Sequence, residues 1–191
     1  MRLFIAIDLP EEVKQSIEEI KTPLKNIKGV KPVKKENIHL TLKFLGEVDD
    51  DKINKIIRAL SQIKFKPFTL SLDKIGVFPD EKRIRVLWVN AEPEDPLKGL
   101  KQAIDKALPG FKDDHPFKNH LTFARIKYLT SDNDKKKILE LITNKQVDNK
   151  DFLVDKFKLY KSTLTPQGSI YEVLREFLGL KCNGNESEAL S

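Results

Sequence analysis

The chain has 191 residues, of which 39% are hydrophobic and 34% charged, a balance typical of a folded globular protein and not of a disordered one. It carries 35 Lys and Arg against 29 Asp and Glu, which gives a formal net charge of +6. This charge suits an anionic partner, although basicity alone does not single out nucleic acid. The length allows one ordinary domain, or two small lobes around a shared core.

The sequence also disfavours a membrane span, a signal peptide and a cysteine-based zinc site. No apolar run approaches the ~20 residues that a membrane span needs. The N-terminal stretch 1–8 is too short for the apolar region of a signal peptide, so we expect a cytoplasmic protein. The single cysteine, Cys182, cannot form an internal disulfide and excludes zinc sites with two or more sulfur ligands.

Strand and helix signals alternate along the first half of the chain. Pro10 precedes two acidic residues, a typical helix start, and Asp49 begins an acidic cap before a second apolar-periodic segment. The predicted elements are, in order, a strand at 2–8, a helix from Pro10 to about residue 27, a strand at 38–45, a helix at 50–63, and strands at 68–78 and 84–91.

The second half repeats this order. Asp95-Pro96 predicts a helix start, and Ser131 resembles the first residue of a capping box. The predicted elements are a helix from Asp95, a strand at 119–127, a helix at 131–144, and strands at 152–161 and 169–178 joined by a turn near Pro166.

The two halves are therefore related by a displacement of about 80 residues, which indicates an internal duplication. Strand 2–8 corresponds to 84–90, and helix 50–63 to 131–144. We expect an α+β domain over residues 1–180, built as two pseudo-symmetric lobes. The polar end at 181–191 is expected to be a flexible tail.

The tripeptide His-x-Thr occurs once in each half, as His39–Thr41 and His120–Thr122. Two of the three histidines lie in this pattern. One copy alone would be weak evidence for a functional site. Histidine suits proton transfer because its unperturbed pKa lies near neutrality. Two copies at the duplication distance predict one site shared by both lobes.

Strand alternation predicts where these side chains point. In the first copy His39, Thr41 and Lys43 are expected on one face, and the opposite face packs on the core. That core-facing set is Leu40, Leu42 and Phe44. In the second copy the exposed set is His120, Thr122 and Ala124, with Leu121 and Phe123 inward.

Two imidazoles and two hydroxyls across one cleft suit phosphoester chemistry. One imidazole would take a proton from the nucleophile, and the other would deliver one to the departing oxygen. The hydroxyls of Thr41 and Thr122 would donate to the phosphate oxygens.

With these motifs in hand, the chain resembles the RNA 2′,3′-cyclic phosphodiesterase family (LigT/ThpR, formerly RNA 2′-5′ ligases) of the 2H phosphoesterase superfamily. The resemblance covers nearly the whole chain up to about Leu180. The segments that carry it are Arg2–Pro10, Asn37–Gly46 and Phe117–Arg125.

The resemblance implies a bilobal 2H phosphoesterase-like fold, with antiparallel sheets facing a central cleft and helices outside. It implies hydrolysis of a terminal 2′,3′-cyclic phosphate of RNA to a 2′-phosphate, without metal or cofactor. His39 would be the proton donor and His120 the proton acceptor, while Thr41 and Thr122 would bind the phosphate. The family is also reported to join tRNA halves reversibly through a 2′-5′ linkage, and we expect a monomer.

Arg125 is a further candidate for phosphate binding. Strict alternation would turn it inward with Phe123, so a bulge or the end of the strand must redirect it. Of two lysine runs, Lys34-Lys35 is the better candidate for an RNA backbone, and 135–137 is expected to be a solvated face.

The sequence also predicts where three aromatic residues and the third histidine lie. Phe4, Phe44 and Trp88 are assigned to the core, with base stacking as the alternative. His115 is expected on a surface loop, with a place in the cleft as the alternative. Two other functions stay open: an RNA-end-binding module without turnover, and a phosphodiesterase for small cyclic phosphates or 2′-5′ oligonucleotides.

Overall fold

The computed structural model describes residues 1–144, 147–148, 150–166 and 168–180. The α-helices are α1 (Glu11–Lys21), α2 (Asp50–Leu60), α3 (Glu94–Ala107) and α4 (Asp132–Asn144). The strands are β1 (Arg2–Asp8), β2 (Val30–Pro32), β3 (His39–Glu47), β4 (Phe68–Phe78), β5 (Val86–Glu92), β6 (Leu121–Ile126), β7 (Asp151–Val154), β8 (Lys156–Thr165) and β9 (Gly168–Leu178). The tail predicted at 181–191 lies outside the described residues.

The strands form two antiparallel sheets, as the fold prediction requires. One has the order β3-β1-β8-β9, and the other β2-β6-β5-β4-β7. The two halves exchange strands, since β4 follows α2 in the first half but pairs with β5 of the second. In return, β8 of the second half pairs with β1 of the first. The duplicated halves are thereby interlocked.

A hydrophobic core joins both sheets to the helices. Ile5 of β1, Ile17 of α1, Leu100 of α3 and Leu121 of β6 belong to the same buried cluster. Each sheet therefore turns one face to helices and leaves the other for the cleft. Among the described residues, no helix has the length and apolar character that a membrane span requires.

The structure departs from the predicted elements at three places. Helix α1 ends at Lys21, because a short 3-10 turn containing Pro23 follows it. The single strand predicted at 152–161 is two strands in different sheets, since β7 pairs with β4 and β8 with β1. The edge strand β2 was not predicted; it pairs with β6.

Strands β3 and β6 each contain a β-bulge at the same place in the repeat. Leu42 is the extra residue of the first bulge and Phe123 that of the second. The pairs that flank them are Ala6 with Thr41, Ile5 with Lys43, Trp88 with Thr122, and Leu87 with Ala124.

Each bulge reverses the alternation of side chains beyond it. Lys43 is consequently buried at 3% exposure, and Phe44 is 62% exposed. Strict alternation predicts the opposite orientation for both side chains. In β6, Ala124 is buried where exposure was predicted, and the bulge expected for Arg125 is present.

Candidate active site

The predicted site residues come together in a cleft between the two sheets, with a volume of about 620 Å³. Both histidines, both threonines and Arg125 line it. His39 and Thr41 lie on the cleft face of β3, while His120 immediately precedes β6 and Thr122 lies within it. The two copies of His-x-Thr thus face one shared space.

Each imidazole is oriented by a hydrogen bond to the backbone carbonyl two residues before it. His39 Nδ1 lies 2.8 Å from the carbonyl oxygen of Asn37, and His120 Nδ1 lies 2.7 Å from that of Lys118. A carbonyl oxygen can only accept a hydrogen bond, so Nδ1 carries the proton in both rings. Nε2 is therefore the atom at which each ring gains or loses a proton.

Aromatic edges hold the rings in place. Tyr171 meets His39 edge-on at 5.2 Å between ring centroids, and Phe78 meets His120 edge-on at 5.1 Å. Phe4 lies against His39 at 4.9 Å. Both imidazoles are thus fixed by a hydrogen bond at one edge and by packing around the ring, which preorganises them for proton transfer.

Burial lowers the pKa of both histidines. The pKa of His39 falls to about 4, mainly because the imidazolium would lose hydration; the carbonyl of Asn37 and the carboxylate of Asp8 oppose this shift. Burial also lowers the pKa of His120, against the effect of its backbone hydrogen bond. Both rings are accordingly neutral at neutral pH in the free protein.

A carboxylate lies beside one of the two histidines and not beside the other. Asp8 is paired across the sheet with His39, and the equivalent position of β5, counted from the β5–β6 register, is the uncharged Asn90. Burial alone would raise the pKa of Asp8, but Lys14 at 2.7 Å, with help from Lys158 and the Leu9 amide, outweighs burial and holds that pKa below its ordinary value. Asp8 therefore stays anionic beside His39.

The two threonines are available to a ligand. Within the described residues neither Thr41 nor Thr122 donates its hydroxyl to another protein group, and both are half-buried in the cleft. A hydroxyl in such a place can donate to a phosphate oxygen. No group of three or more His, Cys, Asp or Glu suited to a metal ion occurs in the part of the chain that is described.

The aromatic predictions are confirmed for two residues and wrong for the third. Phe4 and Trp88 are buried at 3% and 6% exposure. Phe44 was also assigned to the core, but it lines the cleft as an exposed ring because of the bulge at Leu42. It is thus the aromatic side chain of the three that a nucleobase can reach.

Of the histidine and lysine candidates that remain, the structure places only Lys34 in the lining of the cleft. His115 is exposed and does not line the cleft, as its surface assignment predicts. Lys34 lines the cleft, whereas Lys35 bonds to Gln15 and Glu11 on α1. The lysines at 135–137 lie on α4, outside the cleft.

Sequence reasoning missed several cleft residues. Arg2 and Lys31 line the cleft, and Tyr171 and Phe78 pack on the imidazoles. Arg2 was visible as the outward position of the first predicted strand. Lys31, Phe78 and Tyr171 had no local signal, because only the strand pairing brings them to the histidines.

Comparisons with known proteins extend over both halves. The family model for LigT-like phosphoesterase matches the chain twice, over residues 7–88 and 89–171. An RNA 2′,3′-cyclic phosphodiesterase of Methanocaldococcus jannaschii is 42% identical over 180 residues, which cover 93% of this chain and 100% of the relative. One from Thermotoga maritima is 41% identical over 182 residues, covering 92% and 94%.

A solved structure agrees with the fold. The crystal structure of E. coli LigT complexed with 3′-AMP superposes with a TM-score of 0.75 at 26% identity, covering 94% of this chain and 98% of that one. The double match of one family model agrees with the internal duplication seen in the two sheets.

Proposed function

The chain belongs to the LigT-like phosphoesterase family, and from this premise we propose that it hydrolyses the 2′,3′-cyclic phosphate end of RNA to a 2′-phosphate. The observation that carries the proposal is the pair of equivalently oriented imidazoles in one cleft. Two relatives named RNA 2′,3′-cyclic phosphodiesterase, matched over almost their whole length, support the substrate.

In the proposed reaction a water oxygen bonds to phosphorus as the bond from phosphorus to the ribose 3′ oxygen breaks. His120 Nε2 takes the proton of the water, and His39 Nε2 gives a proton to the departing 3′ oxygen. The assignment of donor and acceptor follows the family resemblance. Asp8 beside His39 supports it, because an adjacent carboxylate stabilises an imidazolium.

His39 must be protonated to act as the donor, although burial keeps it neutral in the free protein. The phosphodiester anion supplies the missing stabilisation when it enters the cleft, since a negative charge near Nε2 favours the charged ring. Thr41 and Thr122 donate to the non-bridging oxygens, where charge accumulates in the transition state. Arg125 adds positive charge for the phosphates of the substrate.

A single chain is the working unit in this proposal, because both histidines and both threonines come from the same chain. Residues 1–180 act as one domain, since each sheet contains strands of both halves. Joining of RNA ends through a 2′-5′ linkage, with tRNA halves as one candidate substrate, would use the same groups with a ribose hydroxyl in place of water.

The direct test is incubation with an oligoribonucleotide that ends in a 2′,3′-cyclic phosphate, in excess EDTA. We expect the cyclic end to open and the phosphate to remain on the 2′ oxygen, as read by ³¹P NMR of the product. A 3′-phosphate product, or binding of the oligonucleotide without turnover, would contradict the proposed reaction.

A further inference from the structure

The two imidazoles have equivalent orientations but differently charged neighbours. Each ring bonds to the carbonyl oxygen of the residue two positions before it, which is Asn37 in the first half and Lys118 in the second. Across the sheet, His39 is paired with Asp8, and the corresponding residue of the second half is Asn90. At these two pairs of equivalent positions, the first half therefore carries one carboxylate and the second half one ammonium group.

Asp8 is held beside His39 in its ionised form. Directly opposed residues of antiparallel strands share a face of the sheet, and these two side chains line one pocket of about 300 Å³. Lys14 Nζ lies 2.7 Å and Lys158 Nζ 3.4 Å from the two carboxylate oxygens, and Lys158 also bonds to Glu176. Of the charges around His39, Asp8 has the largest effect and raises its pKa, while Lys14 acts against it.

Lys118 is held on the aromatic rings that pack around His120. Its Nζ lies 5.0 Å from the ring centroid of Phe78 and 4.9 Å from that of Trp88, as in cation–π contacts. The same Phe78 ring meets His120 edge-on at 5.1 Å. The positive charges of Lys118 and Arg125 both lower the pKa of His120, because they disfavour a further positive charge nearby.

Other charges lie near both rings. Glu36 lines the pocket beside His39, but so does Lys34, which has the opposite charge. In the second half, Glu92 accepts a hydrogen bond from Asn90 at 3.1 Å. The cleft that both imidazoles share is also lined by three cations, which are Arg2, Lys31 and Lys34. Asp8 and Lys118 are thus the charges that differ between the equivalent positions beside the two rings.

Burial lowers the pKa of His39 to about 4 in the free protein, so neither ring is charged there at neutral pH. The phosphodiester anion of the proposed substrate enters the space between the rings and favours the protonation of either one. The fixed charges beside the rings then decide which ring receives the single proton.

We infer that Asp8 and Lys118 are positioning residues that direct this proton to His39 and keep it away from His120. The inference rests on the proposed function and explains how two imidazoles of equivalent orientation take the roles of donor and acceptor. Each of the two residues acts through its histidine and not through contact with the substrate.

The test is the pH dependence of kcat on an oligoribonucleotide with a 2′,3′-cyclic phosphate end. Asp8→Asn lowers the pKa of His39 in the complex, so kcat should fall roughly three- to tenfold at neutral pH and recover as the pH is lowered. Lys118→Gln raises the pKa of His120, so kcat should fall on the acidic side and stay unchanged on the alkaline side. The two variants should thus lose activity at opposite ends of the pH range.

Controls separate charge from structure. Asp8→Glu and Lys118→Arg retain the charges and should restore most of the kcat that the uncharged variants lose. Glu47→Gln at the far end of β3 and Lys112→Gln in the loop before β6 remove exposed charges and should leave the profile unchanged. A loss in Asp8→Asn and Lys118→Gln that is the same at every pH, or no loss, would overturn the inference.

Failure of the proposed function gives a different result, since the unmodified protein would then turn over no cyclic-phosphate end. The protonation of the two rings is in that case measured by NMR titration of the imidazole nitrogens, with inorganic sulfate as the anion. Asp8→Asn should lower the pKa of His39 alone, and Lys118→Gln should raise the pKa of His120 alone. Titration curves that neither variant changes would contradict the inference.

Discussion

Phe44 and Arg125 occupy equivalent positions in the two halves of the molecule, each two residues beyond the extra residue of a β-bulge. Both side chains line the cleft, and strict strand alternation would have turned both toward the core. The bulges at Leu42 and Phe123 therefore change the backbone in the same way in both halves, but they turn different side chains into the cleft. A symmetric pair of imidazoles is flanked by an aromatic ring in one lobe and by a guanidinium in the other.

Removal of either imidazole separates catalysis from binding. His39→Ala and His120→Ala should each lower the turnover of a cyclic-phosphate oligonucleotide by about 100- to 10,000-fold, because each removes one of the two proposed proton-transfer groups. Affinity for the oligonucleotide should change far less, since the threonines and cations of the cleft remain. Single-turnover rates and equilibrium binding check this, with His115→Ala as the control. Parallel loss of affinity and turnover would instead indicate a binding role for the histidines.

The pKa of His39 predicts how stability depends on pH. Burial depresses this pKa from 6.5 in an unfolded chain to about 4, so between these values the unfolded state binds the additional proton. The free energy of unfolding should therefore fall as the pH falls from 6.5 to 4, with a contribution from His39 of about 3 kcal/mol at the lower end. Urea titrations of the protein and of His39→Gln across this range measure the contribution as the difference between the two pH profiles.

His115→Gln, at an exposed position, is the control for the loss of an imidazole. Parallel pH profiles of the protein and of His39→Gln would show that His39 titrates alike in the folded and unfolded states. Inorganic phosphate should reduce the difference between the profiles, because an anion in the cleft favours the protonated ring.

Most of the architecture follows from the sequence, because apolar periodicity and duplication are local signals. The division between β7 and β8 was visible in the pattern but was missed. Phe152 and Val154 are buried, then Phe157 and Leu159, so the alternation slips by one residue at Asp155. That slip marks the point where the chain passes from one sheet to the other.

Other features could not have been found in this way. The edge strand β2 is three residues long and ends at Pro32, which reads as a strand breaker although an edge strand tolerates it. The bulges depend on how β3 pairs with β1 and β6 with β5, and pairing is a tertiary property. For this reason the shared cleft position of His39 and His120 was accessible from the sequence, while the reversed orientations of Lys43 and Phe44 were not.

Because of the bulge in β3, Lys43 lies in a buried ion cluster, and we expect this cluster to stabilise the fold. Its Nζ lies 2.7 Å from Asp105 and 3.2 Å from Asp113, linking β3 to α3 and to the loop that follows. Lys43→Ala should lower the free energy of unfolding by roughly 2–4 kcal/mol, mainly because its buried aliphatic stem leaves a cavity, since Lys101 still pairs with both carboxylates. Lys43→Met, which fills the space, should lose less.

Lys98→Ala is the matched control for an exposed ion pair, since Lys98 bonds to Glu94 on the surface of α3 at 2.7 Å. It should change the free energy of unfolding by under about 0.5 kcal/mol. Chemical denaturation of the three variants measures the order. An effect of Lys43→Ala no larger than that of Lys98→Ala would show that the buried cluster adds nothing to stability.

Gly76 supports the packing behind His120. A Cβ at this position would overlap the indole of Trp88, whose ring packs on Phe78 at 5.1 Å, and Phe78 in turn meets His120 at 5.1 Å. Gly76→Ala should therefore destabilise the fold by roughly 1–3 kcal/mol and reduce turnover through displacement of the imidazole.

Gly99→Ala is the opposing control, because Gly99 is exposed within α3 and a Cβ there meets nothing. It should stabilise the protein by about 0.5–1 kcal/mol and leave turnover unchanged. Thermal denaturation and the cyclic-phosphate assay measure both variants, and unchanged stability of Gly76→Ala would show that Trp88 can move without disturbing the site.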